Sequence, residues 1–144
     1  APVGAYLAVA GAWSQPPAAL LVLAGGVLCW VAGFDILYSL QDIDFDRSQG
    51  LHSIPAAMGA GGALAFSRVL HLLSAALFVS LGFLLPELGA AYFVGTAVIA
   101  GMLAYEQGLV KADDLSKIDA AFFTINGIIS VVFFLIVLGE RVLA

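Results

Sequence analysis

The sequence predicts an all-α, multi-span transmembrane helix bundle, and three observations predict it. Of 144 residues, 62% are hydrophobic and 10% are charged, and the mean hydropathy is +1.08, far outside soluble globular usage. The apolar residues fall in runs long enough to cross a bilayer, which takes about 20 residues each. Most of the charged residues are gathered into two short segments, 41–53 and 106–119. A chain of this length then allows about four full spans plus a truncated N-terminal helix.

Taken in order, residues 1–13 carry neither a basic segment nor an initiator methionine, so they resemble neither a signal peptide nor a translation start. As a helix they would reach only about 20 Å, short of the roughly 30 Å hydrocarbon core, and the chain is expected to begin midway through a span. Ser14-Gln15-Pro16-Pro17 stops that run and pre-organises the next helix, expected from Ala18 towards Leu40. Gly25, Gly26 and Gly33 leave room there for close helix approach. A polar stretch follows to Ser53, with Gly50 ending its helical part in an open or left-handed conformation, and a loop or short helix covers Ile54–Ala63. Further spans are expected over Leu64–Leu85, Ala90–Gln107 and Ala120–Leu138, with a tight turn at Pro86-Glu87-Leu88-Gly89. Within these spans Arg68 reads as an interfacial snorkelling group and His71 as a hydrogen-bonding group inside the bundle. On an ideal helix Asp119, Asn126 and Ser130 share one face, either as interhelical glue or as a cavity wall.

The net charge is −5 and no basic run is present, which argues against nucleic acid as a partner. Cys29 is the single cysteine, so no intrachain disulfide can form. The informative charges are acidic: four of the ten acidic residues fall between Asp35 and Asp46. At 100° per residue Asp35, Asp42 and Asp46 lie within about 40° of one another, with Asp44 opposite. Like charges one turn apart destabilise a helix unless a cation compensates them. One or two carboxylates with substrate phosphates is the usual protein site for Mg²⁺. A second class of function, a cation-coupled transporter, would also use membrane carboxylates, but it predicts them near the bilayer midplane rather than at one mouth.

The spacing Asp35-x-x-Tyr38-x-x-x-Asp42-x-x-x-Asp46-x-x-x-Gly50-x-x-Ser53 resembles the second aspartate-rich motif of the UbiA superfamily of membrane aromatic prenyltransferases. Ile54-Pro55, Tyr105-Glu106, Asp113-Asp114-Leu115-Ser116, Ala120-Ala121-Phe122-Phe123 and Asn126-Gly127 carry the resemblance onward. It covers essentially residues 1–144 and corresponds to the C-terminal portion of one such domain, so the chain alone is expected to be inactive without an N-terminal half. The resemblance implies Mg²⁺-dependent transfer of a polyprenyl group from a prenyl diphosphate to an aromatic acid. The acceptor would be 4-hydroxybenzoate, as in ubiquinone biosynthesis, or alternatively 1,4-dihydroxy-6-naphthoate, as in menaquinone biosynthesis. By the same resemblance Asp42 and Asp46 are metal ligands and Asp35 a nearby catalytic group. Tyr38, Arg47, His52, Ser53, Lys117 and Asn126 are substrate-binding candidates. His52 departs from the lysine that many family members carry there.

Arg47, Arg68, Lys111 and Lys117 lie on the side of the aspartates and only Arg141 on the other. The positive-inside rule therefore places the mouth in the cytoplasm, in a bacterial inner or cell membrane, with bilayer lipid as the surrounding partner.

Overall fold

The computed structural model describes residues 1–143, with the side chains of Arg141 and Leu143 outside the described set. Arg141, the one basic residue assigned to the far face, therefore has no side-chain placement. Among the described residues there are six α-helices: α1 (Pro2–Ala10), α2 (Pro17–Ser39), α3 (Ile43–Ser48), α4 (Ile54–Leu84), α5 (Ala90–Leu109) and α6 (Asn126–Leu143). Among the described residues there is no strand, only an isolated bridge between Lys111 and Asp114. The four long helices lie where the spans are expected. Among the described residues three stretches are long and apolar enough to cross a membrane: Pro17–Ser48, Ile54–Leu84 and Ala120–Glu140. At 20 residues α5 has the length but is less apolar, because Glu106 and Gln107 lie within it.

α2 packs most extensively against α4, and small residues explain the closeness. A Cβ on Gly26 would meet the Phe78 ring and one on Gly33 the His71 ring, so both positions admit only hydrogen. The approach lets polar side chains of α4 reach the α2 backbone. Ser74 Oγ donates to the Gly26 carbonyl (2.8 Å) and Ser67 Oγ to the Gly33 carbonyl (2.7 Å). His71 Nε2 lies 3.3 Å from the Trp30 carbonyl. Ser67, His71 and Ser74 repeat at helical spacing, so one polar row of α4 faces α2.

At the far end Glu140 of α6 accepts from the N–H groups of Gly89 (3.2 Å) and Tyr92 (2.7 Å), capping the start of α5, whose own N-cap is the glycine. Tyr92 is fully buried and its hydroxyl donates to the Phe78 carbonyl (2.7 Å), tying α5 to α4.

Three local departures from ideal α-helix shape the polar end of the bundle. A 3₁₀ turn, Leu40–Asp42, separates α2 from α3. Gly59 (φ 73°, ψ 165°) is non-helical and kinks α4 near its start, so a short helical piece lies ahead of it, inside the stretch expected as a loop or short helix over Ile54–Ala63, and the span follows after it. A π-turn, Ala120–Ile125, precedes α6. Gly50 (φ 65°) is left-handed as its position demands: the N–H of Leu51 reaches the Asp46 carbonyl (2.8 Å) and that of Gly50 the Arg47 carbonyl (3.3 Å), a Schellman ending for α3.

Candidate active-site mouth

Asp42 and Asp46 stand at the open end of α2 and α3, one helical turn apart. Beneath them Leu37 and Leu40 are buried with Ala63 and Leu64 of α4 and with Val110, Ile118 and Ala121. This core draws the two polar segments, 41–53 and 106–119, onto one end of the bundle. Asp42 is exposed and occupies the N-cap position of α3, yet its side chain caps nothing; Asp46 is half-buried. Neither carboxylate has a hydrogen bond or ion pair among the described residues. Two acidic groups that repel each other and have no protein partner are suited to an external cation.

Asp35 does not join them. The 3₁₀ turn between Asp35 and Asp42 advances about 120° per residue instead of 100°, so three residues turn the stripe by roughly 60° relative to a continuous α-helix. Asp35 is exposed and lines a pocket of about 450 Å³ with Leu28, Cys29, Ala32, Phe66 and Leu70, and neither Asp42 nor Asp46 contributes to it. Among the described residues no three His, Cys, Asp or Glu side chains converge as a metal site.

The remaining predicted residues divide by what they touch. Arg47 donates from Nε to the Ala56 carbonyl (3.3 Å), bracing α3 against the start of α4 while its guanidinium stays exposed. His52 is exposed, with no hydrogen bond or ion pair among the described residues. Ser53 is the N-cap of α4 and accepts from the Ala56 N–H (3.2 Å). Lys117 is exposed near Asp114. The Ser116 hydroxyl and N–H hold the Asp114 carboxyl below the usual aspartate range, with lesser help from the charges of Lys111 and Lys117. The Tyr38 ring packs on Phe122 (centroids 4.2 Å) and edge-on to Phe123 (5.9 Å). Phe34 and Trp30 extend that aromatic ladder deeper along α2.

Asn126 is inside the bundle, 6% exposed, with its amide fully engaged. Its Oδ1 accepts from Trp30 Nε1 (2.7 Å), and its Nδ2 faces Glu106 Oε1 (3.0 Å) and the carbonyls of Ala121 (3.1 Å) and Phe122 (3.0 Å) in the π-turn. The wider π-turn also separates the three residues placed on one face of an ideal helix. Asp119 and Ser130 are exposed while Asn126 is buried, and Ser130 bonds back to the Asn126 carbonyl (2.9 Å).

Sequence reasoning missed the rest of this seam. Glu106 lies in the segment read as polar surface, yet it is fully buried, with Oε2 4.0 Å from His71 Nδ1. Gln107 donates to Ser67 Oγ (2.7 Å) and to His71 Nδ1 (2.9 Å). That donor fixes His71 Nδ1 as an acceptor, so the ring proton sits on Nε2 and points at Trp30. The available signal was the row Ser67, His71, Ser74 inside an apolar run, which implied a polar partner on a neighbouring helix.

Against known proteins, residues 1–128 match the family model described as the UbiA prenyltransferase family. A 4-hydroxybenzoate octaprenyltransferase of Nitrosococcus oceani is 29% identical over 90% of this chain and 48% of its own length. A lycopene elongase/hydratase of Halobacterium salinarum is 42% identical over 51% of this chain and 25% of its own. The apo structure of a UbiA homolog from Aeropyrum pernix K1 superposes with a TM-score of 0.70 at 37% identity, covering 82% of this chain and 41% of that one. The chain thus spans about half or less of the length of these relatives. With its apolar helices and the match across residues 1–128, the chain is an integral membrane protein and belongs to the UbiA prenyltransferase family.

Proposed function

We propose that this chain forms one wall of a membrane site that transfers a polyprenyl group from its diphosphate to an aromatic acid, with 4-hydroxybenzoate as acceptor. The observation that carries the reading is the unpartnered pair Asp42 and Asp46 at the polar mouth of an apolar bundle, in a chain of this family. Their all-oxygen donors suit Mg²⁺ in the mode that uses one or two carboxylates plus substrate phosphates. Bound there, the ion would supply Lewis-acid neutralisation of the departing diphosphate. Since Asp42 and Asp46 offer only two carboxylates, the other side of the diphosphate is assigned to residues outside this chain, and the chain by itself is inactive.

The residues then divide the work. The allylic C–O bond breaks and its electron pair leaves with the diphosphate; a ring carbon of the acceptor forms the new C–C bond and loses its proton. Asp42 and Asp46 hold the diphosphate end, and exposed Arg47, His52 and Lys117 supply positive or hydrogen-bonding charge for phosphate or for the acceptor carboxylate. The pocket at Asp35, walled by Leu28, Ala32, Phe66 and Leu70, offers apolar surface for the prenyl chain, with Asp35 orienting the phenol. Tyr38, with its ring packed on Phe122, is the aromatic group offered to the acceptor ring. Ser53 and Asn126 serve the framework, since a cap and a four-way amide occupy them.

The elongase relatives favour a second reading, prenylation of a carotenoid end. One assay separates the readings: the complete protein, with Mg²⁺ and a prenyl diphosphate, is offered 4-hydroxybenzoate, 1,4-dihydroxy-6-naphthoate or lycopene in turn. Product from lycopene alone would replace the aromatic acceptor, and product from the naphthoate alone would move the step to menaquinone biosynthesis. Cation flux in liposomes without diphosphate release would revive the transporter. Cysteines placed at Gln49 and Asp114 are expected to label from the cytoplasmic side and one at Glu87 from outside; the reverse pattern would invert the orientation.

A further inference from the structure

On the outer side of α4 and α5 lies a pocket of about 290 Å³ that plays no part in the proposed reaction. Its polarity is graded along the helices. Arg68 of α4 and Gln107 of α5 line the end towards the mouth, and Leu72, Ala75, Ala100 and Ala104 line the deeper part. α4 and α5 run in opposite directions, so seven residues along each, Arg68 to Ala75 and Gln107 to Ala100, cover the same roughly 10 Å of depth. Arg68 is exposed and has no hydrogen bond or ion pair among the described residues. Gln107 is only 9% exposed, both hydrogens of its amide are given to Ser67 and His71, and its Oε1 is buried with no partner. That burial closes Oε1 off from the pocket, so the polar group this end offers a ligand is the Arg68 guanidinium.

We propose that this pocket binds one anionic bilayer phospholipid. The phosphate pairs with Arg68, and the start of an acyl chain lies along the alanine-lined wall. An ammonium headgroup suits the site less, because it would set a second cation beside Arg68. The grading fits a lipid in its membrane orientation, polar end at the surface and apolar end inward. The proposal does not depend on the acceptor or on the mouth carboxylates.

The test uses the complete protein in detergent micelles, with dioleoyl phosphatidylglycerol, phosphatidylethanolamine and phosphatidylcholine as probes and bound lipid counted by native mass spectrometry. Phosphatidylglycerol is expected to be retained most tightly. Arg68→Gln should weaken it about tenfold, the loss of one charge-assisted contact. Ala104→Trp, which fills the apolar wall without touching the polar end, should weaken it as well. A prenyl diphosphate should leave the bound lipid in place. Equal retention of the three lipids, indifference to Arg68→Gln in a folded variant, or displacement by the prenyl diphosphate would each overturn the proposal, the last by making the pocket a substrate site.

Discussion

The molecule holds two sets of polar side chains that its sequence does not distinguish and its structure does. At the mouth, Asp42 and Asp46 sit one turn apart with no hydrogen bond or ion pair among the described residues. In the seam between α2, α4, α5 and α6, Trp30, Ser67, His71, Glu106, Gln107 and Asn126 form a nearly closed network in which only Glu106 Oε2 and Gln107 Oε1 lack partners. The seam shows how polarity serves a fold where water is absent: each group needs a partner on another helix. The mouth shows the opposite condition, polarity kept uncommitted at a cost in local repulsion. Availability, not polarity, separates the two.

Substitution at the mouth carries the largest expected effect. Asp42→Asn or Asp46→Asn in the complete protein should lower prenyl transfer on the order of a thousandfold, because metal-centred charge stabilisation is worth several kcal/mol. The melting temperature should change little, since neither carboxylate holds the fold together. Asp44→Asn, on the other side of the turn, should cost far less activity. Equal losses at Asp42, Asp44 and Asp46 in a steady-state assay would remove the distinction among them.

Asn126→Leu should reverse that profile. It strips the acceptor from half-buried Trp30 Nε1 and the donor from buried Glu106 Oε1, leaving both unpaired. The expected loss is about 1–3 kcal/mol of stability, towards the lower end if the membrane-embedded unfolded state finds other partners. Denaturant unfolding in mixed micelles reads it. A variant of wild-type stability that cannot transfer a prenyl group would move Asn126 from the seam to the mouth.

Gly33→Ala tests the closeness on which the seam depends. The new methyl meets the His71 ring, and overpacking of this kind costs about 1–3 kcal/mol. Gly101→Ala has nothing within 4 Å and should be neutral or gain up to about 1 kcal/mol in helix propensity. If both behave alike, α2 and α4 are not held by the contact described.

How far these regions can be read from sequence depends on what sets each. The helices and the turn at Gly50 are local, and apolar run length with glycine placement suffices for them. The i+4 pair Asp42 and Asp46 is local too. The separation of Asp35 from that pair depends on a 3₁₀ turn at Leu40–Asp42 with no glycine or proline to announce it. Likewise the π-turn at Ala120–Ile125 lies in an ordinary apolar run, so the predicted face of Asp119, Asn126 and Ser130 could not show its own interruption. Glu106 next to Gln107 looked like the edge of a surface loop because its hydrogen-bond partner, Asn126, is 20 positions away in the sequence.

The smallest effect belongs to Asp114, which tests whether exposure alone marks the functional carboxylates. Like Asp42 it is exposed, but the Ser116 hydroxyl and the Ser116 N–H (3.0 Å from Oδ1) hold its carboxylate, and the lysines at positions 111 and 117 add a weaker pull. These interactions favour the charged form, so its carboxyl titrates lower in the folded chain than in the unfolded one. The stability it contributes is therefore present above the unfolded aspartate range and lost as pH falls through the lowered folded value. For a fully solvated group that contribution is small and salt-sensitive. Asp114→Asn should lower the melting temperature slightly at neutral pH, the difference should fade on acidification below the aspartate range, and prenyl transfer should be nearly unchanged. If instead Asp114→Asn costs as much transfer as Asp42→Asn with the melting curve intact, the second polar segment contributes a carboxylate to the mouth, and the line between partnered and unpartnered groups has to be redrawn.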